Sequence, residues 1–308
     1  MYAQTAQTIG ITAFQQGRLP PYKFTRRKID NKLLMLYSIN TEIHKYRNTE
    51  WRVFMSAKVI SFAMQKGGVG KTTTSTLAAF LLSKKGYKVL ALDLDQQGNM
   101  TQVMANTDDL STFENETIKE ALIGQDLDSY IRVATDNLDF VPADEYLSLL
   151  TANYKGDVPV NELLAATIVK VMDDYDFIII DTPPALGVET LNAFLASDFV
   201  VAMFETAKYS YSALPKLLNT IDSVKANGNE SLEVLGILAT LADGRRSDSK
   251  ELLELIKEEY QDLVFETVIS RKAAVGRLPV YGLFNNPEIK QATQQHAEFL
   301  EELIERCQ

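Results

Sequence analysis

Cysteine is almost absent from this chain, and Cys307 is the only one among 308 residues. A single thiol excludes a disulfide framework, and it excludes a zinc or iron–sulfur centre built from several cysteines of one subunit. Such a composition is typical of proteins of the reducing cytoplasm. Cys307 itself is the penultimate residue, in a terminal stretch that we expect to be disordered.

Long hydrophobic runs are also missing. No stretch approaches the roughly eighteen consecutive apolar residues that a membrane-spanning helix needs, and no secretory signal is visible. The C-terminal stretch FLEELIERCQ is acidic, so it cannot form the basic amphipathic helix that binds anionic lipid. These absences predict a soluble, cytoplasmic protein that has no membrane partner.

Basic residues are in the minority, with 31 lysines and arginines against 41 aspartates and glutamates. The net charge of −10 excludes a uniformly basic surface but allows a local basic patch. Residues 1–54 are the exception, because nine basic side chains against three acidic ones give this segment a net charge of +6. Since the whole chain carries −10, the remainder carries −16, and we treat the two parts separately.

The run MQKGGVGKTT at residues 64–73 carries the strongest functional signal. Its glycines lack a Cβ atom, so the backbone can turn tightly and direct its N–H groups at phosphate oxygens. The following helix adds its positive N-terminal end. Lys71 is suited to bridge the β- and γ-phosphates, and the Thr72 hydroxyl is suited to bind Mg²⁺. The run therefore predicts that the chain binds ATP with Mg²⁺, although Gln65 replaces the first glycine of the common GxxxxGK[ST] loop.

Two further apolar segments end in aspartate. LALDLDQQGN at 90–99 brings Asp93 and Asp95 to the end of a strand, and FIIIDTPP at 177–184 does the same for Asp181. Ligands of parallel α/β sheets collect at the carboxyl ends of the strands. We therefore expect Asp181 to hold Mg²⁺ through water, and Asp95 to orient the water that attacks the γ-phosphate, with a possible contact to the metal.

Strand-like and helical segments alternate along the rest of the chain, which predicts an α/β fold: a P-loop NTPase with a mostly parallel sheet flanked by helices on both faces. Residues 101–135 are expected to carry short helices above the nucleotide. The predicted strands are 58–64, 88–93, 138–141, 176–181, 198–203 and 233–240, and the predicted helices are 71–85, 160–173, 188–196, 209–226, 247–259 and 288–306.

The segments KGGVGKTT, LDLDQQGN and IIIDTPPALG, in this order, resemble the ParA/Soj branch of the deviant Walker A ATPases, in the MinD/ParA superfamily. The resemblance covers about residues 57–306 and continues through NLDFVPA, LNAFLASDFVV, TLADGRRS and ETVISRKAAVGRLPVYG. Members of this branch drive plasmid and chromosome partition. The resemblance implies a ParA-type ATPase domain at residues 55–308.

The family's site residues transfer by position. Lys66 matches the signature lysine, which reaches the phosphates of the partner subunit in an ATP-bound dimer. Lys66, Lys71 and Asp95 are the implied catalytic residues, and Thr72 and Asp181 are the implied metal contacts. The implied nucleotide-binding residues are Lys66, Gly67, Gly68, Val69, Gly70, Lys71, Thr72 and Thr73.

Several positions depart from the family pattern. Gln96, Met203 and Ser270 each stand where the family has proline, which affects the loop after Asp95 and the region expected to hold the adenine. Family members bind nonspecific DNA through basic residues of the C-terminal third. One such arginine matches Arg245, whereas a second falls on Ala274. We predict that nearby charges compensate, because phosphate contacts depend mainly on charge. The predicted DNA-binding residues are Arg245, Arg271, Lys272 and Arg277.

The function that the resemblance implies is ATP-dependent partition. ATP joins two subunits, the homodimer binds nonspecific nucleoid DNA, and a ParB-like centromere-binding protein stimulates slow hydrolysis to segregate a plasmid or chromosome. Two alternatives stay open at this point: an ATP-responsive DNA-binding repressor of its own operon, and a MinD-like ATPase that positions another cargo.

Residues 1–54 form a basic N-terminal extension with three competing interpretations. It is a DNA-binding arm, a docking segment for a partner, or a product of an upstream start. The third interpretation rests on Met55, which opens the family-like start MSAKVISFAMQKGG. It also rests on Glu50, Trp51 and Arg52, because their codons can contain the purine-rich sequence of a ribosome-binding site.

Overall fold

The computed structural model describes residues 56–242, 247–276, 278, 283 and 292–308. The predictions for residues 1–54, Arg245 and Arg277 fall outside the described residues. The three interpretations of the N-terminal extension and its boundary at residue 55 therefore stay predictions.

In the described part of the chain, eight strands form one sheet in the order β3-β4-β2-β5-β1-β6-β7-β8. All neighbouring pairs are parallel except β3 and β4, which are antiparallel. The central strands are apolar and buried along almost their whole length, as expected where helices cover both faces of a parallel sheet. The strands are β1 Lys58–Ala63, β2 Val89–Asp93, β3 Arg132–Thr135, β4 Leu138–Val141, β5 Phe177–Asp181, β6 Phe199–Glu205, β7 Glu233–Ala242 and β8 Val264–Ser270.

Helices connect the parallel strands, as the crossover between parallel neighbours requires. They are α1 Lys71–Lys84, α2 Asn99–Ala105, α3 Ile118–Gly124, α4 Leu150–Asn153, α5 Leu163–Ile168, α6 Val188–Ala196, α7 Lys208–Asn227, α8 Ser247–Tyr260, α9 Ala273–Gly276 and α10 Gln294–Arg306. Short 3₁₀ helices lie at Leu110–Phe113, Asp128–Tyr130, Glu145–Leu149, Met172–Asp174 and Gln261–Leu263.

The strand order brings three carboxyl ends together at the centre of the sheet. β5 lies between β2 and β1, so that Asp93 is in register with Asp181, and Phe62 is in register with Asp181 on the other side. The chain leaves β1 directly into the glycine-rich loop and α1. The two aspartate segments and the loop, which are distant in sequence, therefore meet at one edge of the sheet.

The predicted α/β class is confirmed, and the differences are local. The single helix predicted at 160–173 is wrong, because α5 covers only Leu163–Ile168 and the 3₁₀ helix Met172–Asp174 follows it. Residues 101–135 contain short helices as predicted, but they end in the antiparallel strand β3. β8 was not predicted. Its side chains alternate irregularly between buried and partly exposed, as is common for an edge strand with one covered face.

The C-terminal helix predicted at 288–306 is confirmed in its described part, whereas the expectation of a disordered end around Cys307 is wrong. Helix α10 packs on β8 and α1. Phe299 contacts Phe62 and Phe265 edge to face, with ring centroids 6.3 and 4.9 Å apart. Cys307 is buried at the end of this helix, and burial raises the pKa of its thiol to about 12. None of the helices in the described part of the chain is long and apolar enough to cross a membrane.

Candidate nucleotide site

The glycine-rich loop is shaped by two residues with left-handed backbone conformations. Gly68 has φ +77° and Gly70 has φ +86°, and L side chains rarely adopt either value. Gly70 is also the N-cap of α1, and no side chain caps this helix end. The first backbone N–H groups of α1 therefore stay available for an anion. Across the sheet, the Thr240 hydroxyl donates to the Val69 carbonyl at 2.7 Å and fixes the loop to β7.

Lys71 opens α1, and its side chain is buried at 6% exposure. Its ammonium donates to the backbone carbonyl of Lys66 at 3.2 Å. Burial lowers the pKa of Lys71, and the carboxylates of Asp181 and Asp95 oppose this change. A buried cation that is held between a loop carbonyl and two acidic groups is well placed to bind phosphate oxygens.

Asp181 is fully buried at the end of β5. Its Oδ1 atom accepts a hydrogen bond from the Ser75 hydroxyl at 3.1 Å, whereas its Oδ2 atom has no hydrogen-bond partner. Burial raises the pKa of Asp181 to about 8, with a further rise from the charge of Asp93. The neighbouring Thr72 hydroxyl and Lys71 ammonium oppose the rise. An unsatisfied buried carboxylate oxygen is costly, and a bound cation would remove that cost.

Asp93 and Asp95 take different roles although they are two residues apart. Asp93 is buried, and its carboxylate accepts hydrogen bonds from the backbone N–H of Asp95 and from the N–H and hydroxyl of Thr101. Burial raises the pKa of Asp93 to about 6, against these hydrogen bonds. Asp95 accepts a hydrogen bond from the Gln97 N–H at 3.0 Å and lines the cavity. Asp93 therefore organises the loop, and Asp95 faces the space where a ligand would react.

A cavity of about 460 Å³ lies above these groups. Six of the predicted loop residues line it, and so does Asp95, whereas the buried Val69 side chain and Lys66 are not among its described lining. Sequence reasoning did not identify the other lining residues. Their only sequence signal was proximity to the recognised segments. They are Thr76, Asn99, Val103, Pro184, Leu241 and Leu278, and Arg271 lines the same cavity.

The site fits a nucleotide with Mg²⁺. A Cβ atom added at Gly67 or Gly68 would meet nothing within 4 Å, so open space adjoins the loop. Among the described residues, no cluster of three or more histidine, cysteine, aspartate or glutamate side chains could hold a metal by itself. Mg²⁺ commonly binds through one or two protein groups and completes its shell with phosphate oxygens and water. Thr72 and the free Oδ2 atom of Asp181 match that pattern.

Lys66 forms an ion pair within its own chain. Its ammonium donates to Oε2 of Glu205, at the end of β6, and lies 3.5 Å from the Ser210 hydroxyl. The other oxygen of the same carboxylate, Oε1, is 3.6 Å from a guanidinium nitrogen of Arg271. Neither Glu205 nor Ser210 was singled out from the sequence.

The predicted DNA-binding residues are only partly within the described structure. The Arg271 side chain is exposed over 67% of its surface, and it lies at the cavity as well as beside Glu205. Lys272 is half-buried, and Ala274 lies in α9 two residues further on. Arg245 and Arg277 are outside the described residues, so a joint basic patch stays a prediction.

Comparison with known proteins gives a consistent result. A family model described as an AAA domain matches residues 57–234. The chain is similar to the sporulation initiation inhibitor protein Soj of Bacillus subtilis (strain 168), with 34% identity over 228 residues. The match covers 73% of this chain and 88% of Soj.

Solved structures give the same result. A cobyrinic acid a,c-diamide synthase from Mycobacterium smegmatis, with a bound ATP analogue and magnesium, has a TM-score of 0.70 at 27% identity, covering 80% of this chain and 94% of that one. A putative plasmid partition protein from Borrelia burgdorferi, bound to AMPPNP, has a TM-score of 0.64 at 26% identity, covering 82% and 98%. Both similarities extend over nearly the whole of those chains.

Proposed function

Since the chain belongs to the ParA/Soj family of P-loop ATPases, we propose that it binds Mg²⁺-ATP, pairs as a homodimer around the nucleotide and hydrolyses ATP slowly. In the ATP-bound state the dimer binds nonspecific DNA. A ParB-like centromere-binding protein stimulates hydrolysis and release, and the cycle segregates a plasmid or chromosome.

The observation that carries this proposal is the convergence of complementary groups at one end of the sheet. An uncapped helix N-terminus, a buried ammonium and an unpartnered carboxylate oxygen meet at the carboxyl ends of β1, β2 and β5. The loop and Lys71 provide positive charge for phosphates, while Asp181 provides negative charge for a metal. Neither set alone accounts for binding of a nucleotide with Mg²⁺, and the two sets side by side support it. The relatives bound to an ATP analogue with magnesium and to AMPPNP support this reading.

Each of the site residues has a defined task in the proposed reaction. Lys71 holds the β- and γ-phosphates, and the N–H groups from Gly67 to Thr73 hold the remaining phosphate oxygens. Thr72 and Asp181 hold Mg²⁺, which supplies positive charge that stabilises the transferring phosphoryl group. Asp95 orients the attacking water at the γ-phosphate. Lys66 neutralises phosphate charge on the partner subunit, as the family resemblance implies.

DNA tethering is supported by charge placement at the same end of the sheet. Arg271 is largely exposed, and Lys272 follows it directly. Both residues begin the segment that leads into α9. Exposed basic side chains close to the nucleotide cavity allow dimerisation and nucleotide state to change the affinity for DNA phosphates.

The proposal is tested by measuring binding to nonspecific duplex DNA with ATP, with ADP and without nucleotide. We expect about tenfold or tighter binding with ATP than with ADP. Lys66→Ala should abolish the ATP effect, while Asp95→Ala should preserve or prolong binding, because it slows hydrolysis and leaves binding groups intact. Lys257→Ala is a matched control, since Lys257 is an exposed lysine that pairs with Glu266.

Three outcomes would contradict the proposal. Equal DNA affinity with ATP and ADP would exclude a nucleotide-controlled DNA tether. Sequence-selective binding that requires residues 1–54 would favour the repressor of its own operon instead. Absence of hydrolysis in the wild-type protein with Mg²⁺ would exclude the ATPase cycle altogether.

A further inference from the structure

The Lys66 side chain has a well-defined partner in its own chain. The Lys66 side chain is 27% exposed, and its ammonium donates to Oε2 of Glu205, whose side chain is 19% exposed. A partly buried, charge-assisted hydrogen bond of this kind is stronger than an exposed surface ion pair. Holding Lys66 in this position therefore has a free-energy value that any competing partner must exceed.

The elements around this pair fix the carboxylate. Glu205 is the last residue of β6, which pairs with both β1 and β7. The Ser210 hydroxyl, the second group near the Lys66 ammonium, is fully buried in the first turn of α7. Its backbone N–H donates to the Ala207 carbonyl at 2.9 Å. The backbone on the acceptor side of the pair is thus held by hydrogen bonds, and the long Lys66 side chain can leave the pair by rotation about its own bonds.

Glu205 also faces a second cation. Its Oε1 atom is 3.6 Å from Arg271, which lines the nucleotide cavity. The backbone of Lys66 is held independently, because its carbonyl accepts the hydrogen bond from the Lys71 ammonium. One carboxylate therefore pairs with two cations beside the cavity, and the Lys66 side chain would need to swing away from it to meet a phosphate.

We propose that Glu205 is a positioning residue that holds Lys66 in its own protomer, so that the phosphates bound by a second protomer must compete with Glu205 for the Lys66 ammonium. This inference rests on the proposed function, because it assumes that Lys66 acts across an ATP-bound dimer. Glu205 then sets the ATP concentration at which two protomers pair. It also keeps the nucleotide-free protein monomeric.

The test compares Glu205→Gln with wild type by sedimentation velocity across an ATP–Mg²⁺ titration. Glutamine keeps the shape of the side chain and removes the charge. We expect the ATP concentration for half-maximal dimerisation to fall about tenfold, because a freed ammonium no longer loses its charged partner on pairing. Glu266→Gln is the matched control, since Glu266 is 89% exposed, carries the same charge and lies in β8 away from Lys66.

Two further variants separate positioning from a structural role. Lys66→Ala/Glu205→Gln should stay monomeric, because the gain requires the freed Lys66 ammonium. Glu205→Asp keeps the charge but withdraws it by one methylene, and its shift should lie between those of wild type and Glu205→Gln. If Glu205→Gln does not fold, the shift of Glu205→Asp decides whether Glu205 acts through Lys66. Affinity for ADP, measured in the monomer, should change less than threefold in either variant.

The outcomes are distinguishable from failure of the proposed function. If the wild-type protein does not dimerise with ATP at all, the proposed function and this inference both fail. If wild type dimerises but Glu205→Gln, with an unchanged melting temperature, needs the same or more ATP, only the role of Glu205 is overturned. Dimerisation of the double variant would also overturn it, because the gain would then not act through Lys66.

Discussion

Carboxylates at the cavity and at the outer edge of the sheet are satisfied in different ways. At the cavity, Asp181 is fully buried, and its Oδ2 atom has no hydrogen-bond partner. At the β8 edge, Glu302 of α10 accepts hydrogen bonds from the backbone N–H groups of Glu266 and Thr267 and from the Arg306 guanidinium. The first carboxylate raises the free energy of the folded state, and the second lowers it.

This difference separates a ligand site from a structural support. An edge strand exposes unpaired N–H groups that could bind another strand, and Glu302 covers two of them. Arg306 strengthens the same corner through the carbonyls of Leu235 and Val264 and through the Phe265 ring. No such completion exists at Asp181, where the missing partner is one that a ligand can supply. Substitutions should therefore affect activity in the first region and stability in the second.

Asp181→Asn gives the largest expected effect, on ATP hydrolysis, and tests the ligand-site side of this comparison. Asparagine keeps an acceptor for the Ser75 hydroxyl but removes the buried negative charge that would hold Mg²⁺. We expect ATP hydrolysis to fall by about 10² to 10³-fold. The free energy of unfolding without nucleotide should not fall, and we expect a rise of about 1 kcal/mol. Phosphate release assays and urea unfolding measure the two quantities.

The matched control for that variant is Asp139→Asn. Asp139 lies in β4 and accepts a hydrogen bond from the Tyr175 hydroxyl at 2.9 Å, outside the described lining of the cavity. Its hydrolysis rate should stay near that of wild type. A fall in the free energy of unfolding of Asp181→Asn that is large enough to explain its loss of hydrolysis would contradict the comparison, because it would make Asp181 a structural residue.

Glu302→Ala tests the structural side of the comparison, at the β8 edge. It removes the acceptor of the Glu266 and Thr267 N–H groups and of Arg306. We expect the free energy of unfolding to fall by about 2 kcal/mol, because charge-assisted hydrogen bonds are lost and the donors are left without partners. Nucleotide affinity of the folded protein should not change. Urea unfolding and ADP titration measure the two effects.

Glu305→Ala is the control for this variant, since Glu305 is an exposed glutamate of the same helix. A surface change of this kind should alter stability by less than about 0.5 kcal/mol. Equal losses for the two variants would mean that the effect reflects helix charge rather than the capped strand edge.

The fold and the phosphate loop were predictable from the sequence because both depend on local patterns. Apolar runs that end in aspartate, followed by polar loops, predicted β2 and β5 correctly, and the glycine spacing predicted the loop that precedes α1. In contrast, β8 was missed because its burial is irregular along the strand and depends mainly on packing against α10, which is distant in sequence. The short α5 was overestimated because an apolar stretch alone does not show where a helix ends.

Part of the site depends on contacts between residues distant in sequence, and such contacts were not predictable. The Lys66–Glu205 pair joins residues 139 positions apart, and Arg271 reaches the same carboxylate from the end of β8. No local motif marks Glu205 or Ser210. Asp93 was noted at the end of its strand, but its role as an acceptor for Asp95 and Thr101 depends on how α2 packs.

His296 tests the structural region by pH. The side chain is buried in α10 at 4% exposure, and burial lowers its pKa to about 4 from 6.5, with a further decrease from the charge of Lys272. The folded state therefore binds this proton less readily than the unfolded state does. Stability is full above pH 6.5 and is lost as the pH falls towards 4. Between pH 7 and pH 5, protonation of His296 should lower the free energy of unfolding by about 2 kcal/mol.

The measurement is urea unfolding of wild type and His296→Leu at pH 7 and pH 5. Carboxyl groups also titrate in this range, so only the difference between the two proteins isolates the contribution of the imidazole. Leucine cannot be protonated, and the variant should lose about 2 kcal/mol less than wild type on acidification. An equal loss in both proteins would show that the imidazole is not the group that destabilises α10 in acid.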